Sequence, residues 1–312
     1  MARSRKFIQA IVLGISLLIF GLITYFQLHR ASPRQPIGDG PAGPPVAREP
    51  WTKLWTTRPV VLVGLGDSVT AGFGAPPPQS YFNRLVANPQ DEFSDMKGIC
   101  LRAVFPNLKT LNLSVSGTVS QEHVAEQLPK LDKSGPETLG LVVMTTGGND
   151  LIHSYGRNPP QEGAMFGATL EQARPWIANY EKRLDGLFNK IIACFPGGCH
   201  IFIADIYDPT DGVGDIERAG LPPWPDGEAI LETANAAIRR SAARFPTVHV
   251  VPMHDAFLGH GIHCSQWWGS HYRRSDPHYW YYNNLEDPNP RGYDAIRRLF
   301  LLEMARVFAD GR

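Results

Sequence analysis

Apolar residues fall into two patterns along the chain. Residues 7–26 form an uncharged run of 20 positions, the helical length that spans the hydrocarbon core of a bilayer. Beyond it, short apolar runs alternate with longer segments of mixed polarity. The runs at 60–63, 108–113, 139–145, 200–204 and 248–251 read as buried strands. Residues 80–87, 120–131, 170–193, 227–245 and 290–308 read as helices. The stretches 88–106, 207–225 and 254–286 have neither period and read as insertions or long loops. Strand and helix alternating five times predict an α/β fold: a three-layer α/β/α sandwich on a five-stranded parallel sheet.

The pattern also divides the chain. Arg3, Arg5 and Lys6 precede the uncharged run, and no small-residue cleavage site follows it. Residues 1–30 therefore read as a signal anchor with a transmembrane helix, a cleaved signal being the alternative. Residues 31–50 are rich in Pro and Gly and predict a partly extended linker. Residues 51–312 hold one domain. This organisation predicts attachment to a membrane through the N-terminal helix, with the domain outside the cytoplasm, periplasmic or extracellular; cleavage would make the protein secreted.

Charge and cysteine content narrow the picture. Acidic and basic residues number 30 each, which gives no case for a nucleic acid partner. Export would place Cys100, Cys194, Cys199 and Cys264 in an oxidising compartment. Cys194 and Cys199 bracket a short turn that is easy to close, which would leave Cys100 for Cys264. Three pairings are open, and one bridge with two buried thiols is the plainer alternative.

The chemistry gathers at strand ends. Gly66-Asp67-Ser68 follows the first strand, Gly117 the second, and Gly147-Gly148-Asn149-Asp150 the third. Open α/β sheets bind ligands beyond the carboxyl ends of their strands. A serine there can attack a carbonyl once a base takes its proton. Backbone amides and a carboxamide can hold the resulting oxyanion.

In order and spacing these blocks resemble the SGNH/GDSL hydrolase family, over the domain from about residue 59 onward. The resemblance implies a flavodoxin-like fold with Ser68 as nucleophile. It implies an oxyanion hole from the amides of Ser68 and Gly117 and the side chain of Asn149. The closing block, Asp287-Pro288-Asn289-Pro290-Arg291-Gly292, departs from the family pattern: Asp287 stands where a histidine is expected and Asn284 where its carboxylate is expected. A base displaced into the 254–286 insertion is then required. His278, in Asp276-Pro277-His278-Tyr279, is the first candidate, with Asp287 orienting its ring. His263, in Gly261-Ile262-His263, is the second; His260 and His271 complete the set.

These residues predict a serine ester hydrolase acting through an acyl-enzyme on carboxylic esters of lipid or carbohydrate at the outer face of a membrane. The alternatives are a catalytically silent glycan- or lipid-binding domain on the same fold, and an acyltransferase. No cofactor or metal is expected: His260, His263 and Cys264 complete no tetrahedral zinc pattern. Trp224, Trp267, Trp268, Trp280, Tyr281 and Tyr282 are expected either to rim the site or to pack the insertions onto the sheet.

Overall fold

Five parallel strands form one sheet: β1 (Val60–Gly66), β2 (Leu108–Asn112), β3 (Leu139–Thr145), β4 (Cys199–Ala204) and β5 (Val248–Val251), in the order β2-β1-β3-β4-β5. The computed structural model describes residues 13–21 and 35–309. All seven residues of β3 are buried, because helices cover both faces of the central strands. At the sheet edge β2 is largely exposed and carries Lys109 and Thr110. The strand order reverses between β1 and β3, so a crevice opens above their carboxyl ends.

One face of the sheet packs on the helices Tyr81–Val86 and Pro290–Phe308, around Leu62, Tyr81 and Phe300. The other packs on Leu170–Ala193 and Gly227–Ala242, around Val63, Phe188 and Ile238. Thr169 and Gln172 form a capping box at the start of the first of these. Asn289 caps the closing helix, with Pro290 in its first turn. The closing helix also holds the 88–106 insertion: buried Arg297 bonds Glu92 and Asp294, and Arg298 bonds Asp294 and Asp95. That insertion contains a short helix of its own, Leu101–Val104.

Three expectations change. Residues 120–131 are not one α-helix but an α turn (Ser120–Glu122), a π turn (His123–Gln127) and a 3₁₀ turn (Leu128–Lys130). The π turn carries His123 and Gln127, both fully buried, toward the strand ends, and Pro129 lacks the amide an α-helix needs. The linker is not free from residue 35 onward. The Tyr279 amide donates to Pro36 O at 2.7 Å, Arg291 Nη1 to Asp39 O and Gly40 O, and the Ala42 amide to Asp294. Composition alone indicated an extended segment; residues distant in sequence supply the partners that fasten it. Finally, all four cysteines are free thiols. Cys194 Sγ instead contacts Leu131 O at 3.7 Å, and Cys264 Sγ contacts Gln35 Oε1 at 3.6 Å.

Of the predicted anchor, residues 13–21 are helical with exposed side chains; the rest of the 7–26 run lies outside the described residues. Among the described residues no helix is long and apolar enough to cross a membrane.

Candidate active site

Gly66 ends β1 with φ +123°, and a side chain there would put its Cβ 2.0 Å from Thr145 O of β3. Only glycine lets the turn pass this close to the neighbouring strand. Asp67 then caps the short helix Ser68–Ala71: its Oδ1 accepts from the Val69 amide at 3.1 Å and from Thr145 Oγ1 at 2.7 Å. Burial pushes the Asp67 carboxyl up to about 7 against those two hydrogen bonds. Ser68 opens the helix and faces the cleft.

The second and third blocks meet this turn. Asn112 Nδ2 donates to Thr70 O at 3.1 Å, tying the end of β2 to the Ser68–Ala71 helix. Gly117 has φ +83° and an open side toward solvent. Gly147 has φ +98°, and a Cβ there would meet the Tyr180 hydroxyl at 2.6 Å. Asn149 Nδ2 donates to Thr118 O at 3.0 Å, which orients the carboxamide beside the second block. Asp150 accepts from the Ser120 amide at 2.9 Å, fixing the two loops to each other.

Two residues that motif reasoning passed over join these turns from behind. Gln127 accepts from the Gly66 amide at 2.8 Å and donates to Gly66 O at 2.8 Å and to Thr118 Oγ1 at 3.1 Å. His123 bridges Thr118 Oγ1 at 3.0 Å and Thr146 Oγ1 at 2.9 Å. Burial holds the His123 imidazole down to about 4, so it is neutral at pH 7. Their signal in the sequence was two polar residues spaced four apart on the inward side of a helical stretch.

On the opposite side stands Asp287. A bridge between Tyr281 and Pro288, and the Tyr282 amide bonded to Asp287 O at 2.6 Å, set its position before the closing helix. Its Oδ2 accepts from Asn284 Nδ2 at 2.7 Å, while Oδ1 has no well-formed hydrogen bond. Burial pushes Asp287 above the ordinary carboxylate range, against the hydrogen-bonding influence of Ser68 and then Asn284.

The histidines are engaged elsewhere. His278 Nδ1 pairs with Asp276 Oδ1 at 2.5 Å, not with Asp287, and the ring lies against Gly38 of the fastened linker. Asp276 in turn takes Arg291 Nη2 at 2.5 Å. His263 Nε2 lies 2.7 Å from Asp215. His260 stacks on Trp280 at 3.4 Å and bonds His278 O. His271 packs on Gly212. None of these four lines the cleft beside Ser68. Among the described residues no cluster of His, Cys, Asp and Glu is arranged to hold a metal.

The cleft has a volume of about 960 Å³ including its open mouth. Its walls are mainly apolar, with Ile152, Phe166, Tyr207, Trp224 and Leu285 among them. Of the aromatic residues expected at a rim, Trp224 lines the cleft and donates to Ala168 O at 2.9 Å. Trp280 and Tyr281 are core residues, whereas Trp267, Trp268 and Tyr282 are exposed.

No curated protein matches the chain. Among solved structures it is similar to an extracellular lipase from Streptomyces rimosus, with TM-score 0.51 and 18% identity over 79% of this chain and 99% of that one. It is also similar to a phospholipase A1 from Streptomyces albidoflavus NA297, with TM-score 0.45 and 17% identity over 80% and 99%. An acetylxylan esterase from Geobacillus stearothermophilus, in a catalytic mutant, matches with TM-score 0.49 and 16% identity over 80% and 96%. At these identities the likeness is one of fold. A family model reaches further, matching residues 65–295, the span that runs from the Ser68 turn into the closing helix. By that match the chain belongs to the GDSL-like lipase/acylhydrolase family.

Proposed function

We propose that this carboxylic ester hydrolase works through an acyl-enzyme on Ser68, with Asp287 itself as the general base. The observation that carries the reading is a buried carboxyl that, among the described residues, has no cationic partner and whose charged form the Ser68 hydroxyl favours by hydrogen bonding. As the ester binds, the Asp287 carboxylate takes the Ser68 proton and Oγ attacks the carbonyl carbon. The amides of Ser68 and Gly117 and the carboxamide of Asn149 hold the oxyanion, each donor contributing roughly 3 kcal/mol when tested by removal. Collapse breaks the ester bond, and Asp287 returns the proton to the leaving alkoxide. Water then attacks the acyl carbon, giving its proton to Asp287, and collapse breaks the bond to Ser68 Oγ, which takes that proton back as the acid leaves. A carboxyl raised by burial suits this role, because a stronger base takes a proton more readily.

The apolar walls favour a hydrophobic acyl group in the cleft. The uncharged 7–26 run supports attachment of the enzyme to a membrane, with the domain on the outer side. The absence of a histidine among the described residues that line the cleft favours one second reading, a silent binding domain on the same fold. Hydrolysis of p-nitrophenyl acetate separates the two. The wild type should turn over and carry an acyl mass adduct on Ser68. Ser68→Ala should lose both, with activity down by at least about 10⁴-fold. A wild type with neither turnover nor adduct leaves the binding domain.

A further inference from the structure

We propose that the loop carrying Trp267 and Trp268 is a second membrane contact, seating the domain on a phospholipid bilayer beside its anchor. The proposal rests on the membrane-attached reading above. Trp267 is 72% exposed and Trp268 39%, whereas Trp51, Trp224 and Trp280 are all below 10%. The two exposed rings meet edge to face at 5.6 Å. Tryptophan combines a large apolar ring with one polar N–H, and it concentrates where hydrocarbon meets headgroups.

The loop is built firmly. Asp211 accepts from the amides of Gly259, Gly261 and His263 at 2.8 to 2.9 Å, and His263 is held by Asp215. The Gln266 amide bonds His263 O and the Gly269 amide bonds Gln266 O, so the tryptophans sit on successive tight turns.

Its place on the surface names the partner. Gln35 Nε2 donates to Ile262 O at 3.0 Å and its Oε1 meets Cys264 Sγ at 3.6 Å. Trp267 follows Cys264 by three residues, so their Cα atoms are within roughly 11 Å. Residues 27–34 join Gln35 to the uncharged run and reach roughly 30 Å at full extension. A bilayer holding the 7–26 run is therefore kept close to the tryptophan loop. Arg274, exposed on the same insertion, suits anionic headgroups. Asp215 is engaged by His263 and Arg218, and Asp276 by His278 and Arg291.

The test uses the full-length protein reconstituted into vesicles of phosphatidylcholine and phosphatidylserine with brominated acyl chains. Bromine quenches tryptophans that reach the bilayer. Wild type and W267A/W268A should both float with the vesicles, and hydrolysis of p-nitrophenyl acetate in solution should be equal in the two. Quenching should fall by at least about half in the double variant. Equal quenching in both overturns the proposal while leaving the anchor intact. A wild type that does not float overturns the membrane-attached reading and this proposal with it. Loss of self-association in the variant with unchanged quenching assigns the surface to a second copy of the chain and overturns the bilayer.

Discussion

Asp276 and Asp287 flank one short stretch of chain and have opposite surroundings. Burial pushes the Asp276 carboxyl up, but hydrogen bonds from His278 and Arg291 outweigh it and hold Asp276 below the ordinary range. Asp287 is buried with Asn284 Nδ2 on one oxygen, and burial raises its carboxyl against the hydrogen-bonding influence of Ser68 and Asn284. A carboxylate held by a guanidinium and an imidazole is a structural tie. A desolvated carboxylate beside a hydroxyl is a proton acceptor. The pair that looks most like a catalytic dyad by residue type, His278 with Asp276, is thus a structural clasp that closes over Gly38 and, through Arg291, over Asp39 and Gly40.

The contrast breaks first at Asp287. Asp287→Asn keeps the shape and the Asn284 contact but removes the base, so kcat/KM for p-nitrophenyl acetate should fall about 10²- to 10⁴-fold. His278→Ala should stay within about threefold of wild type in the same assay. A loss confined to His278→Ala would make the clasp catalytic.

Asp276→Asn addresses the other half. It leaves buried Arg291 without its counter-charge and weakens the clasp, so unfolding in urea should show a loss of about 1–3 kcal/mol. Activity at a temperature where the variant is folded should be unchanged. Equal stability of variant and wild type would remove the clasp from the account.

Asp67 gives a smaller, pH-dependent effect. Its carboxyl is raised in the folded state from 3.8 to about 7, chiefly by burial. The folded state therefore holds the proton more tightly than the unfolded one. The stabilisation this gives is complete below the unfolded value and is lost as pH rises toward about 7. Asp67→Asn removes that dependence, so the stability of the variant relative to wild type should improve steadily from pH 4 to pH 7. A difference that does not change with pH would contradict the assignment.

The halves also differ in how far they could be read from the sequence. The turns at Gly66-Asp67-Ser68 and Gly147-Gly148-Asn149 fall at the strand ends where the sequence pattern puts them, and Gly66 and Gly147 occupy positions where a Cβ collides. β3 and the closing helix keep their expected bounds, 139–145 and 290–308, since their apolar patterns are long. The proposed base was not legible. Which of several polar groups meets Ser68 depends on how the 277–288 segment crosses the sheet end, and its one histidine, His278, attracts attention by type alone. The fastening of the linker and the inward turn of His123 and Gln127 were hidden for the same reason: their partners come from distant parts of the chain.

The central claim is that a carboxylate, not an imidazole, activates Ser68. The most direct measurement is the rate at which a fluorophosphonate labels Ser68 in wild type, Asp287→Asn, His278→Ala and His263→Ala, since labelling needs the activated hydroxyl but no later step. Asp287→Asn should label at least about 10²-fold more slowly than wild type, with both histidine variants labelling at the wild-type rate. Wild-type labelling in Asp287→Asn, together with its loss in either histidine variant, would contradict the account.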